Sequence, residues 1–261
     1  MAIVAVLFDS IMQTSALTPD GYLMAHPPAL QGTEAGEFFN GLIRGLVHKQ
    51  NNFLAVIQGF SSLVLMEEGL DRTARGNLEH MKEAAQGAAV LAERLLAASG
   101  CVKMALQPVQ LQDALRAMES SLQAPCAKSH IPFQLNLAPD LPPVRIDRGR
   151  FKEVLLDLLW NAAEAVAGSG LPGAVALDVL PPGLVPESRP GCVDVFVRNT
   201  GAMIPPQKLA DVFKPFASTK DSKHSGIGLT VASVLASQMG ATLAVHSNPE
   251  ATTFWLSVPA A

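Results

Sequence analysis

Between Glu34 and Glu68 the apolar residues Phe39, Leu42, Leu46, Phe53, Ile57, Phe60 and Val64 recur at spacings of three, four or seven. Side chains so spaced lie on one face of an α-helix, and a stripe sustained over this many turns predicts one long amphipathic helix. Gly69-Leu70-Asp71 interrupts the stripe: Gly69 suits a C-terminal stop, and Asp71 or Thr73 suits the cap of a following helix. A second periodic run passes through Leu78, Met81, Ala85, Ala88, Leu91 and Leu95 and ends near Ser99-Gly100. Two such helices joined by a short turn form an antiparallel hairpin. A lone hairpin cannot cover both of its apolar stripes, so association into a four-helix bundle, a homodimer, is expected.

Within the first helix His48 and Asn52 stand four residues apart and share one face. Past Gly100 the texture changes. A helix is expected over 109–127, a strand over 132–137 and a strong helix over 147–166, which contains RFKEVLLDLLWNAAEAV. Strands follow at 174–180 and 192–199, helices at 206–213 and 228–239, and closing strands at 242–246 and 252–258. Helices and strands interleave without regular βαβ spacing, which predicts an α+β fold: a helical hairpin followed by a sandwich of one sheet under one helical layer. The expected division is a lead-in segment over 1–34, the hairpin over 35–100 and the α/β domain over 101–261. The lead-in, with its PDG and HPPAL turn signals, carries no readable role.

Hydrophobic residues make up 49% of the chain and mean hydropathy is +0.26. Even so, the longest apolar runs, such as Ile3–Phe8, are far too short to span a bilayer. Met1–Phe8 has no basic residue of the kind that opens a secretory signal, so a cytoplasmic protein is expected. A net charge of −4 and a pI near 5.9 give no electrostatic case for nucleic acid. Cys101, Cys126 and Cys192 are widely spaced, fit no metal-ligand pattern and are expected as free thiols.

Four segments now stand in order: VHKQNNFL, EVLLDLLWNAAEAV, VRNTGAMIP with VFKPFASTK, and SGIGLTVASVLASQMGA. As an ordered set, running from about Glu34 to the C-terminus, they resemble the sequence boxes of two-component sensor histidine kinases. The resemblance implies a dimerisation and histidine-phosphotransfer hairpin followed by a GHKL-type ATP-binding domain. It further implies ATP and Mg²⁺ as cofactors and a response-regulator receiver domain as partner.

By this resemblance His48 is the phospho-acceptor, and Asn52 orients a water for dephosphorylating a partner. An amide can hold such a water by donating and accepting at once. Asp157 and Asn161, one helical turn apart, fall where the family holds Mg²⁺, with Asn161 offering its amide oxygen. Glu164 lies on the same side as a supporting residue. Asn199 and Gly201 stand where the family has Asp-x-Gly beside the adenine amino group. Gly226 and Gly228 let backbone N–H groups approach phosphate at a helix start. Lys220, in a short segment with Lys223 and His224, could meet a phosphate as a point charge.

Three positions depart from the pattern. Lys49 follows the histidine where a carboxylate is usual, and a charged ammonium cannot act as a base. Asn199 replaces an aspartate, and Met203 replaces a glycine. Three readings stay open: a kinase that phosphorylates His48 from ATP; an ATP-independent phosphotransfer or phosphatase protein with a degenerate nucleotide domain; and a GHKL-like interaction module in which the histidine is incidental.

Overall fold

The computed structural model describes residues 22–25, 34–185, 188–217 and 226–261. These form two compact units, one of residues 28–102 and one of 1–27 with 103–261.

The smaller unit is the helical hairpin, α1 (Glu34–Leu65) and α2 (Arg72–Ala98). The turn is built as its residues dictate. Gly69 takes a positive φ of 90°, and the Asp71 carboxylate accepts from the backbone N–H groups of Thr73 and Ala74 at 3.1 and 3.3 Å. Those two donors have no partner inside the helix, so Asp71 caps it. Arg75 Nη1 donates back to the Leu65 carbonyl at 3.1 Å and closes the corner. The seam between the helices is made of small side chains: Val47 and Ser61 of α1, and Ala85, Ala92 and Ala97 of α2, are buried. The expected apolar stripe is present but faces away from the seam. Leu42, Leu46, Phe53, Ile57 and Phe60 are all exposed, Phe53 at 70%.

The larger unit contains a six-stranded sheet in the order β1-β7-β8-β6-β5-β3 and a two-stranded ribbon of β2 with β4. The strands are β1 (Leu23–Met24), β2 (Gln107–Val109), β3 (Phe133–Leu137), β4 (Val144–Ile146), β5 (Val175–Leu180), β6 (Cys192–Asn199), β7 (Thr242–Ser247) and β8 (Thr252–Pro259). Among the described strands only β3 and β5 pair in parallel. The helices are α3 (Leu111–Ala117), α4 (Glu119–Ala127), α5 (Arg148–Ser169), α6 (Pro206–Leu209) and α7 (Gly228–Gln238).

Register divides the sheet into two unlike faces. Val195 of β6 pairs with Leu256 of β8 and Val179 of β5, and Val197 pairs with Phe254 and Leu177. Their side, apolar except for Asn199, Thr252 and Ser247 at one end, packs under α5 and α7, whose inner faces supply Phe151, Leu155, Leu158, Val231 and Leu235, all fully buried. The other side carries Asn136, Asp178, Asp194, Arg198, Trp255, Ser257 and His246. On it Trp255 stacks on Phe196 with ring centres 5.7 Å apart and meets Tyr22 edge-on at 5.3 Å. Cys101, Cys126 and Cys192 are free and buried.

Three sequence expectations need correction. The helix over 109–127 is two helices that bend at Met118, which lets Leu111, Leu115 and Leu122 all reach the core. The helix over 206–213 stops at Leu209. Beyond it Asp211, Val212 and Lys214 close successive three-residue turns, and Pro215 has no N–H to continue a helix. Strands β1, β2 and β4 were not foreseen, and β1 lies inside the expected lead-in segment, paired to β7.

Candidate functional site

The larger unit carries its predicted site residues on α5, at the end of β6 and at the start of α7, and α5 packs against both of the other elements. Asp147 starts α5, accepting from Gly149 and Arg150 N–H at 3.0 and 3.1 Å through one oxygen and from Ala105 N–H at 2.9 Å through the other. Burial acts to raise its pKa, but these three N–H groups and the Arg150 charge outweigh that and hold the carboxyl below the usual carboxylate value. Further along the helix, Asp157 is buried and Asn161 is half-buried, one helical turn apart.

The strand β6 delivers Asn199 to the same place. Asn199 pairs with Thr252 of β8 and Val175 of β5, which puts its side chain on the apolar, helix-covered side. It is 1% exposed, and neither its amide oxygen nor its amide nitrogen has a hydrogen-bond partner among the described residues. Immediately after it the chain turns onto α5. Thr200 closes a two-way bond with Ala174, and Ala202 N–H donates to the Ala165 carbonyl at 3.1 Å. A Cβ on Gly201 would lie 2.4–2.5 Å from backbone atoms of Ala165 and Val166. Gly201 is therefore required by close backbone packing against α5, one turn beyond Asn161. Met203, where a glycine was expected, is 40% exposed.

The third set of predicted residues lies at the start of α7. Gly226 takes φ 65° and its carbonyl accepts from Phe216 N–H at 2.9 Å. Gly228 begins the helix, whose cap position, Ile227, makes no side-chain hydrogen bond to the first-turn N–H groups. The helix dipole favours an anion at such an end. Thr230 Oγ1 donates to the Phe213 carbonyl at 2.9 Å, fastening the Phe213–Phe216 segment to the helix. Lys220, with Ser218, Thr219, Lys223 and His224, lies outside the described residues.

Sequence reasoning overlooked Thr252. It stands directly opposite Asn199 and is 2% exposed, with its hydroxyl 2.6 Å from that of Ser247, which in turn accepts from Ile204 N–H at 2.9 Å. The signal available was Thr252-Thr253-Phe254, polar residues at the start of a strand. His48 and Asn52 belong to the other unit, on α1, and both are exposed. Among the described residues no group of three or more His, Cys, Asp or Glu could hold a metal, and no helix is long and apolar enough to cross a membrane.

This architecture has relatives. Residues 146–261 match the family described as histidine kinase-, DNA gyrase B-, and HSP90-like ATPase. Over 228 residues the chain is 29% identical to the sensor kinase CckA of Brucella abortus, covering 84% of this chain and 24% of CckA. Over 226 residues it is 27% identical to the sensory histidine kinase/phosphatase NtrB of Rhodobacter capsulatus, covering 85% of this chain and 62% of NtrB. The chain thus spans between about a quarter and three fifths of the length of these curated relatives. The fold of full-length ShkA, solved in complex with AMPPNP, superposes with a TM-score of 0.72 at 22% identity, over 85% of this chain and 46% of that one. Residues 146–261 form a domain of the GHKL ATPase family. The chain as a whole has the build of a two-component sensor histidine kinase, a helical hairpin followed by that domain.

Proposed function

We propose that this chain is the transmitter part of a histidine kinase acting in the cytoplasm, which moves the γ-phosphoryl group of ATP to His48 and then to a receiver-domain aspartate. The observation that carries the reading is an exposed His48 on the hairpin of a chain whose other unit is a GHKL domain. In that unit Asn199 would meet the base, and the N–H groups at the start of α7, with Gly226 and Gly228, would meet the phosphates. Asp157 and Asn161 suit Mg²⁺, which takes one or two protein oxygens and fills its remaining positions with water and phosphate oxygens. Bound there, the ion would neutralise charge on the transferring phosphate.

In the transfer an imidazole nitrogen of His48 attacks the γ-phosphorus, the bond to the β–γ bridging oxygen breaks, and ADP leaves. The imidazole proton is released to water, since Lys49 carries no lone pair while charged. Asn52, one turn along from His48 and likewise exposed, would hold the water that hydrolyses a phosphorylated receiver. The outward stripe of α1 supports a homodimer. Phe53 and Phe60 are 70% and 65% exposed, and a second copy would cover them in a four-helix bundle.

Lys49, Asn199 and Met203 favour a second reading, an ATP-independent histidine phosphotransfer or phosphatase protein. One experiment separates the two: incubation with γ-labelled ATP and Mg²⁺, with His48→Ala as control. The kinase reading expects acid-labile label that is lost in His48→Ala. Label on His48 only from a phosphorylated receiver, without nucleotide binding, would establish the second reading.

A further inference from the structure

We propose that the base pocket at the end of β6 accepts guanine as well as adenine, and that Asn199 is the residue that sets this breadth. The proposal rests on the nucleotide-binding reading above and adds the class of nucleotide taken. Asn199 is 1% exposed, and both its Oδ1 and its Nδ2 are without a hydrogen-bond partner among the described residues. Burying an amide with both ends unmet is costly, so the site calls for a ligand that meets both.

The partner must offer one donor and one acceptor side by side in a plane, which is what the edge of a purine offers. Adenine presents the N6 amino donor next to the N1 acceptor; Asn199 would accept from the first through Oδ1 and donate to the second through Nδ2. Guanine presents the reverse, the O6 acceptor next to the N1–H donor. Rotation of the terminal amide by half a turn exchanges Oδ1 and Nδ2 and makes both bonds again. A carboxylate lacks this freedom: it only accepts, and a guanine seated in the pose described for adenine would turn O6 against it lone pair to lone pair. Thr252, paired opposite, has its hydroxyl engaged with Ser247 at 2.6 Å, and Gly201 is pressed onto α5.

Calorimetric titration of the full chain with AMPPNP and GMPPNP tests this without catalysis. The two affinities are expected within about tenfold of each other, since the amide makes two bonds to either base. Asn199→Asp should shift the ratio toward AMPPNP by at least about tenfold. Asn199→Leu, of similar size with neither donor nor acceptor, should weaken both ligands together. AMPPNP binding more than about tenfold tighter than GMPPNP in the unsubstituted chain overturns the proposal and leaves the nucleotide reading intact. So does an Asn199→Asp chain that folds, judged by its thermal melt, with an unchanged ratio. Should neither variant fold, the ratio in the unsubstituted chain decides alone. Binding of neither nucleotide overturns the proposal and the nucleotide reading together.

Discussion

Asp194, fully buried on the polar side of the sheet, receives Trp255 Nε1–H and Ser188 Oγ–H on one oxygen, each at 2.8 Å. Burial pushes its pKa up to about 6, against the partial relief these donors and Ser257 give the charged form. The native state therefore holds its proton to higher pH than the unfolded chain does. Stability is greatest below the ordinary aspartate value of 3.8, falls as pH rises through about 6, and is level above that. The full effect is at most roughly 3 kcal/mol, the free energy that corresponds to the gap between those two values. Asp194→Asn keeps the acceptor for Trp255 and Ser188 and removes the titration. Its melting temperature should decline less between pH 4 and pH 7 than that of the unsubstituted chain, the remainder coming from buried Asp178, whose pKa burial also raises; parallel curves would disprove this. At the same scale, Asn199 was legible in the sequence as a replaced aspartate. Its lack of any partner among the described residues was not, because that depends on what β5, β8 and α5 bring beside it.

The elements that sequence made plain are those whose periodicity runs long enough to average out local noise. The hairpin helices, α5 and α7 carry three or more turns of regular apolar spacing, and β5, β6 and β8 are runs of six to eight residues. Strands of two or three residues, such as β1, β2 and β4, show no period at all; only tertiary pairing defines them. The same distinction governs the loop after β6. Its Asn-Thr-Gly reads as a ligand motif, whereas the structure gives Gly201 a packing reason that stands without any ligand. A methyl group there meets the α5 backbone at 2.4 Å, and backbone cannot step aside as a side chain can. Gly201→Ala should cost about 1–3 kcal/mol in chemical denaturation, by overpacking. It should also weaken nucleotide binding, since Asn199 and α5 would move apart. An unchanged midpoint would show the loop to be more yielding than its geometry says. On the hairpin, Asp71→Ala removes two N-terminal hydrogen bonds and should cost about 1 kcal/mol, read as loss of helical ellipticity on heating.

For the whole molecule, the exposed stripe of α1 leads to a prediction about assembly. Phe53→Glu with Phe60→Glu places two charges where a second hairpin would pack, and should raise the dimer dissociation constant by at least about a hundredfold. Sedimentation equilibrium would show this, while the melting of the larger unit should stay where it was. A chain already monomeric before substitution would remove the four-helix bundle from the proposal. The overall layout was readable because hairpin and sheet differ in texture on either side of residue 100. What could not be read was that the larger unit begins before the hairpin.

That last feature has a consequence for how the chain is made. β1 leaves the ribosome long before β7, its partner among the described strands, since about 220 residues separate Leu23 from Val245. At ordinary elongation rates that is a wait of about 10–45 s. The hairpin, with purely local contacts, can form in the interval, while the sheet cannot be completed until the last strands arrive. A fragment starting at Lys103 would fold without its first strand and present the outer edge of β7 bare. Such an edge is a template for another chain, so the fragment should aggregate where the longer chain stays dispersed.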